Sequence, residues 1–215
     1  MFFLMRIIAG KYRSRILKSL KGPALRPTSD RLRETLFNVL GPAIVDSRFV
    51  DVFAGTGAVG IEALSRSAAE AIFVENHAPA AKLIRQNLDS LKITSGATIL
   101  TADALRGLEM IAARHKSPTS LVDYVFLDPP YAASVDYART LEFLGSATFL
   151  APDAFVIFEH HHKFVLPEQF GALRRTRVLK QGDATLTFFL NGVFSAQQTH
   201  RFFRRAGSLS PSTKE

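Results

Sequence analysis

Five short apolar runs punctuate this chain: FVDVFA (49–54), AIFVE (71–75), ATILTAD (97–103), LVDYVFLD (121–128) and AFVIFEH (154–160). Each of the first four is followed by a stretch with apolar residues at helical spacing, in GTGAVGIEALSRS (55–67), 78–91, 104–115 and 134–144. The runs are apolar on both faces, so neither face can lie against water. Such strands belong in a mostly parallel sheet covered by helices on two sides, an α/β Rossmann-like fold. The stretch LRRTRVLKQGDATLTFFL (173–190) breaks the alternation. Its two strand-like halves flank Gln181-Gly182-Asp183-Ala184, which predicts an antiparallel hairpin closing the sheet.

The N-terminal part is different in kind. RIIAGKYRSRILKSL (6–20) reads as a β-hairpin appendage, two short strands around Ala9-Gly10-Lys11, carrying Lys11, Arg13 and Arg15 outward. A Gly/Pro-punctuated linker follows, and Asp30 opens a helix with Leu32, Leu36, Val39 and Leu40 on one side, stopped by Gly41-Pro42. The expected organisation is a basic hairpin and helix (1–45) packed on a catalytic domain (46–194), then a disordered basic tail (195–215).

Charge sharpens this division. The chain carries a net +8, and nine basic residues stand against Asp30 and Glu34 within the first 40. A patch of that density favours a polyanion, because neutralised phosphates release counterions. There is no cysteine among the 215 residues, which excludes disulfides, thiolate zinc sites and cysteine nucleophiles. No apolar run reaches the roughly 18 residues of a membrane span, and MFFLM is too short for a signal peptide. A cytoplasmic protein is expected.

Gly55-Thr56-Gly57-Ala58-Val59-Gly60 matches G-x-G-x-x-G between a strand and a helix, and Glu75 ends the next strand. The pattern predicts a nucleoside-containing cofactor with its ribose diol on the acid. It leaves NAD and S-adenosylmethionine both open. Asp51 lies just ahead of the glycines, where it would repel a pyrophosphate and suit the amino group of S-adenosylmethionine. Asp103, read as the end of the third strand, can accept from an adenine amino group.

The fourth run ends in Asp128-Pro129-Pro130-Tyr131. An exocyclic amine on a base is a poor nucleophile because its lone pair is delocalised. Two acceptors aimed at its two N–H bonds localise that pair. The Asp128 carboxylate and the Pro129 carbonyl supply them. Consecutive prolines hold the turn rigid and add no competing N–H. Tyr131 offers a stacking face. The adjacent histidines His160, His161 and His162 are expected to point to alternating faces, and no metal site is expected there.

MRIIAGKYRSRIL, LRPTSDRLRETLFNVL, DVFAGTGAVGIEALSR, FVEN and LDPPY together resemble one family of class I S-adenosylmethionine-dependent methyltransferases. It is the RsmD family of bacterial 16S rRNA guanine-N2 methyltransferases, and the likeness runs from about Met5 to Leu190. The resemblance implies methylation of one guanine N2 in small-subunit rRNA, usually in the assembled subunit, by a cytoplasmic monomer. It implies cofactor contacts from Asp51, Phe53, Ala54, Gly55, Thr56, Gly57, Glu75, Asn76, Asp103, Ala104 and Asp128. Asp128, Pro129, Pro130 and Tyr131 would form the transfer site, and Arg6, Lys11, Arg13, Arg15, Arg26 and Arg31 would meet RNA. The MFFL extension and the tail after about Ser195 fall outside the pattern. Two alternatives stay open: a DNA adenine-N6 or other amino-methyltransferase with the same D-P-P-Y site, and an NAD-binding oxidoreductase.

Overall fold

The computed structural model describes residues 5–19, 29–129 and 134–192. An eight-stranded sheet runs through it in the order β3-β2-β1-β4-β5-β8-β7-β6. The strands are β1 (Arg48–Val52), β2 (Glu70–Val74), β3 (Ala97–Leu100), β4 (Val122–Leu127), β5 (Leu150–His161), β6 (Gln169–Phe170), β7 (Leu173–Gln181) and β8 (Ala184–Asn191). The first five pair in parallel, and β8 and β7 add on antiparallel beside β5. The five apolar runs and the terminal hairpin therefore become the strands expected of them. The two-residue β6 had no signal in the sequence, and β5 begins earlier than expected, at Leu150.

Helices cover both faces, as the two-sided apolar runs require. On one face α4 (Ala104–Arg114) and α5 (Ser134–Gly145) pack Leu108, Ile111, Leu141 and Leu144 onto Val50, Val125, Leu127 and Val156. On the other, α1 (Asp30–Leu40) and α2 (Ala58–Ser65) pack Leu36, Phe37 and Val59 onto Phe49, Phe126 and Ile157. Beside them α3 (Ala78–Ser90) seats Ile84 and Leu88 near Phe73. α1 opens on Asp30 as expected, and Ser29 before it is the N-cap, its hydroxyl accepting from Leu32 N–H at 3.2 Å. Among the described residues no helix is long and apolar enough to cross a membrane.

Residues 5–19 double back as the expected hairpin but without two full strands: Ile7 N–H donates to Arg15 O at 2.9 Å, Leu17 N–H to Met5 O at 2.9 Å and Ser14 N–H to Ile7 O at 2.8 Å. They make a loop with a single bridge, Arg6 to Ile16, around a turn over residues 11–14. The pairing stays this short because α2 and α3 take other backbone groups of the segment. Glu62, fully buried on α2, accepts from Ile8 N–H at 2.8 Å and Ala9 N–H at 3.0 Å, and pairs with Arg66 at 2.8 Å. Ser65 Oγ donates to Ala9 O at 2.6 Å, and Lys11 N–H donates to Ser65 O at 2.7 Å. Asn87 on α3 accepts from Lys18 N–H at 2.8 Å and returns an amide hydrogen to Lys18 O at 3.1 Å. Gly10 touches α2 so closely that a Cβ there would fall 1.8 Å from Ser65 O, which only glycine avoids.

Glu62→Ala leaves two amides and Arg66 without their acceptor. It should destabilise the fold by about 2–4 kcal/mol and expose residues 5–19 first. Urea unfolding with limited proteolysis measures both effects.

Candidate active site

Parallel pairing gathers the carboxyl ends of β1 to β5 on one edge of the sheet. The strand order reverses between β1 and β4, the point where open α/β sheets bind ligands. Three carboxylates meet there: Asp51 within β1, Glu75 just past β2 and Asp128 just past β4.

Asp51 is 2 % exposed, and its Oδ2 accepts from Gly60 N–H at 2.9 Å. Burial raises its pKa well above the ordinary carboxyl range, the Gly60 bond opposes this, and the neighbouring Asp128 and Glu75 carboxylates raise it further. Arg33 draws it back down. The strand then turns sharply: Phe53 takes φ +62°, an uncommon conformation for an aromatic residue. Gly60 allows α2 to lie directly on β2, since a Cβ would come within 2.4 Å of the Phe73 ring.

Glu75 is held at both oxygens. Oε2 accepts from Gly55 N–H at 2.7 Å and Oε1 from His77 N–H at 2.8 Å. Each oxygen keeps a further lone pair, and the fixed orientation suits a vicinal diol. Asn76 beside it is exposed, Ala104 is buried, and Thr56 is nearly buried with its hydroxyl 3.2 Å from Met5 Sδ. Asp103 corrects the sequence reading. β3 ends at Leu100, and Asp103 is the exposed N-cap of α4, accepting from Arg106 N–H at 2.8 Å. Ser and Asp favour such caps because the side-chain oxygen satisfies a helix-start amide.

Asp128 N–H reaches Val52 O at 3.4 Å, so pairing with β1 continues one residue past β4. Its side chain is partly exposed, and Pro129 is buried. Pro130, Tyr131 and Arg26 lie outside the described residues, as do MFFL and the tail.

Among the proposed RNA contacts, Lys11, Arg13, Arg15 and Arg31 are exposed. Arg6 is exposed too, but its guanidinium pairs with Asp30 at 3.3 Å. A cleft of about 470 Å³ between this loop and α1 has Arg6, Arg13 and Arg66 in its wall. A second cleft of about 440 Å³, along β6 and β7, shares no residue with the carboxylate edge.

The histidines also depart from expectation. His160 is buried, with Nε2 2.8 Å from Thr187 Oγ1 and Nδ1 3.0 Å from His161 O, and burial lowers its pKa. His161 and His162 do not point apart. The chain leaves β5 between them, their rings come to 4.3 Å, and ring nitrogens of both lie within 4.8 Å of each other and of the Asp183 carboxylate.

The sequence reading missed the residues that brace this edge. Arg33 is wholly buried; it donates to Asp30 Oδ1 at 2.6 Å, Arg6 O at 2.8 Å and Ala58 O at 3.4 Å. Asn87 adds a bond to Thr56 O at 3.0 Å. The signal was available: Arg33, Glu62 and Asn87 each interrupt the inward stripe of a helix, and a buried polar group needs a partner.

The chemistry of this edge fits one of the two cofactors left open. Carboxylates would repel a pyrophosphate, and Arg33, whose charge acts on Asp51, is already engaged by Asp30, Arg6 O and Ala58 O. They suit a ligand bearing a ribose diol and positive charge. Fold and site define a class I S-adenosylmethionine-dependent methyltransferase. The family described as Conserved hypothetical protein 95 matches residues 5–190. The chain is 38 % identical over 163 residues to the "Ribosomal RNA small subunit methyltransferase D" of Escherichia coli K12, covering 76 % of this chain and 78 % of that one. It is 38 % identical over 173 residues to the "Putative rRNA methyltransferase YlbH" of Bacillus subtilis, covering 80 % and 91 %. The solved "Putative methyltransferase yhhF" of Escherichia coli superposes with a TM-score of 0.74 at 32 % identity, covering 88 % and 98 %. The chain belongs to this family of RsmD-like methyltransferases, and the oxidoreductase alternative falls away.

Asp51→Asn keeps an acceptor for Gly60 N–H and removes a buried charge. Because folding raises the Asp51 pKa, ionisation there disfavours the fold as pH rises from about 4 upward. The variant should therefore gain stability relative to wild type through that window and hold the gain at neutral pH. Urea midpoints across a pH series measure it.

Proposed function

We propose that this chain transfers a methyl group from S-adenosylmethionine to the exocyclic N2 of one guanine in 16S rRNA, within the small ribosomal subunit. It would act in the cytoplasm and as a monomer. The observation that carries the reading is the pair Asp128-Pro129, directly beyond β4 and beside the carboxylates of Asp51 and Glu75.

S-adenosylmethionine, when bound, supplies a methyl already activated on a sulfonium sulfur, so alignment and charge stabilisation remain for the protein. Glu75 would hold the ribose diol. Asp51, in the buried floor, would face the cofactor's cationic end, and Phe53 to Gly57 would line the turn around it. Asn76, Asp103 and Ala104 would border the adenine.

At the reacting end, the Asp128 carboxylate and the Pro129 carbonyl would accept the two N2 hydrogens and localise the nitrogen lone pair. As the N–C bond forms and the C–S bond breaks, the bonding pair stays on sulfur. The amine becomes acidic once it carries the methyl, and Asp128 takes the proton. Pro130 and Tyr131 would complete the base site.

RNA would be drawn by the exposed cations of the N-terminal loop, Lys11, Arg13 and Arg15, together with Arg6, Arg26 and Arg31. The printed names of the relatives support rRNA over DNA as the nucleic acid.

Small subunits lacking the modification, incubated with tritiated cofactor, should be labelled at a single guanine N2; label confined to DNA or absent from guanine sinks the proposal. Asp128→Ala should cut single-turnover transfer by about 10²–10³-fold or more while S-adenosylhomocysteine affinity holds. Neutralising Lys11, Arg13 and Arg15 together should reduce the log–log salt slope of RNA binding by about 2–3. An unchanged slope would remove the loop from the RNA interface.

A further inference from the structure

A fourth carboxylate stands on the same edge. Along β5, Val156 and Phe158 point into the core beneath α4 and α5, whereas Phe155 and Ile157 point to the opposite face, beneath α1 and α2. By the alternation of a strand, Glu159 belongs to that second face. On β4, Val125 and Leu127 take the first face and Phe126 the second, so Asp128 shares the face of Glu159. The parallel register pairs Leu127 with Phe158, which makes Asp128 and Glu159 the next pair across neighbouring strands, about 4.8 Å apart in backbone spacing. Asp51, two strands from Glu159, is on this face as well.

Glu159 is 7 % exposed. The first turns of α1 stand over this corner, with Arg33 reaching Ala58 O on one side and Thr35 Oγ1 reaching Gln181 Oε1 at 3.0 Å on the other. A base seated at Asp128 on this face would have Glu159 alongside.

Guanine presents two kinds of donor side by side, the N2 amine and N1–H. Adenine and cytosine present an amine beside a ring nitrogen with a lone pair. A carboxylate next to the amine site accepts from guanine N1–H and repels the lone pair of the other two bases. We infer that Glu159 is the guanine-selecting residue: its carboxylate accepts N1–H while Asp128 and Pro129 engage N2. This rests on the guanine-N2 reading above and adds what that reading lacks, the group by which a site for planar amines prefers guanine.

2-Aminopurine tests the contact, because it keeps the 2-amino group and replaces N1–H by a lone pair. Small subunits reconstituted with 16S rRNA carrying guanine or 2-aminopurine at the mapped target serve as paired substrates in single-turnover assays. The wild-type chain should prefer guanine by about a hundredfold or more. Glu159→Gln presents an amide that donates to the lone pair, so the ratio should fall to within about tenfold, with S-adenosylhomocysteine affinity unchanged. A wild-type ratio near one overturns the inference without any variant. So does a Glu159→Gln enzyme that slows on both substrates equally, the behaviour of a merely structural residue. If the wild type labels no guanine at all, the guanine-N2 reading itself fails, which is a distinct result.

Discussion

The bond from Gly60 N–H to Asp51 Oδ2 holds the working edge together. A carboxylate buried in a parallel sheet is unfavourable, and here the amide at the start of α2 offsets part of that cost. The bond draws α2 onto β1, and α2 in turn lies on the Phe73 ring because residue 60 has no side chain. The glycine turn between them is then pinned from the other side by Glu75 at Gly55 N–H. Two carboxylates on neighbouring strands thus set the conformation of one turn through its backbone. On the proposed function, the charges that shape the turn would also choose its ligand.

The N-terminal segment is tied into that arrangement by polar groups buried in helices. Arg33 joins α1, the loop and the first residue of α2; Asn87 joins the loop and Thr56; Glu62 and Ser65 clasp the loop to α2. An element that reads as an RNA-binding appendage shares hydrogen bonds with the cofactor turn itself. The loop and the glycine turn are therefore joined through one set of contacts, and on the proposed function RNA at the first and cofactor at the second would be coupled through it. Each buried partner would be expensive to leave alone.

Sequence reasoning reached the strands and singled out the candidate motif at the end of β4 because both are local. A run such as LVDYVFLD can only be buried on two faces, and Asp128-Pro129 is a consecutive pair. It failed where backbone groups found partners far along the chain. Residues 6–20 have strand-like alternation, yet their two arms pair only briefly, because α2 and α3 take the amides of Ile8, Ala9, Lys11, Tyr12 and Lys18. Asp103 reads as a strand end by apolarity, but β3 stops three residues sooner and the acid caps α4. The two histidines after His160 come together because the chain turns there, which a period-2 pattern cannot foresee.

What the sequence determined alone was the kind of fold, through alternating apolar periods, and it singled out Asp128 as the candidate reacting carboxylate, through its setting between a buried strand and two prolines. Only the tertiary structure decided which acids share an edge. Asp51 and Asp128 are 77 residues apart in sequence numbering and come together because β4 pairs directly with β1. Glu159 joins them through the register of β5 on β4. Hydrogen-bonded strand pairing sets that register, and it links residues whose separation along the chain carries no trace of it.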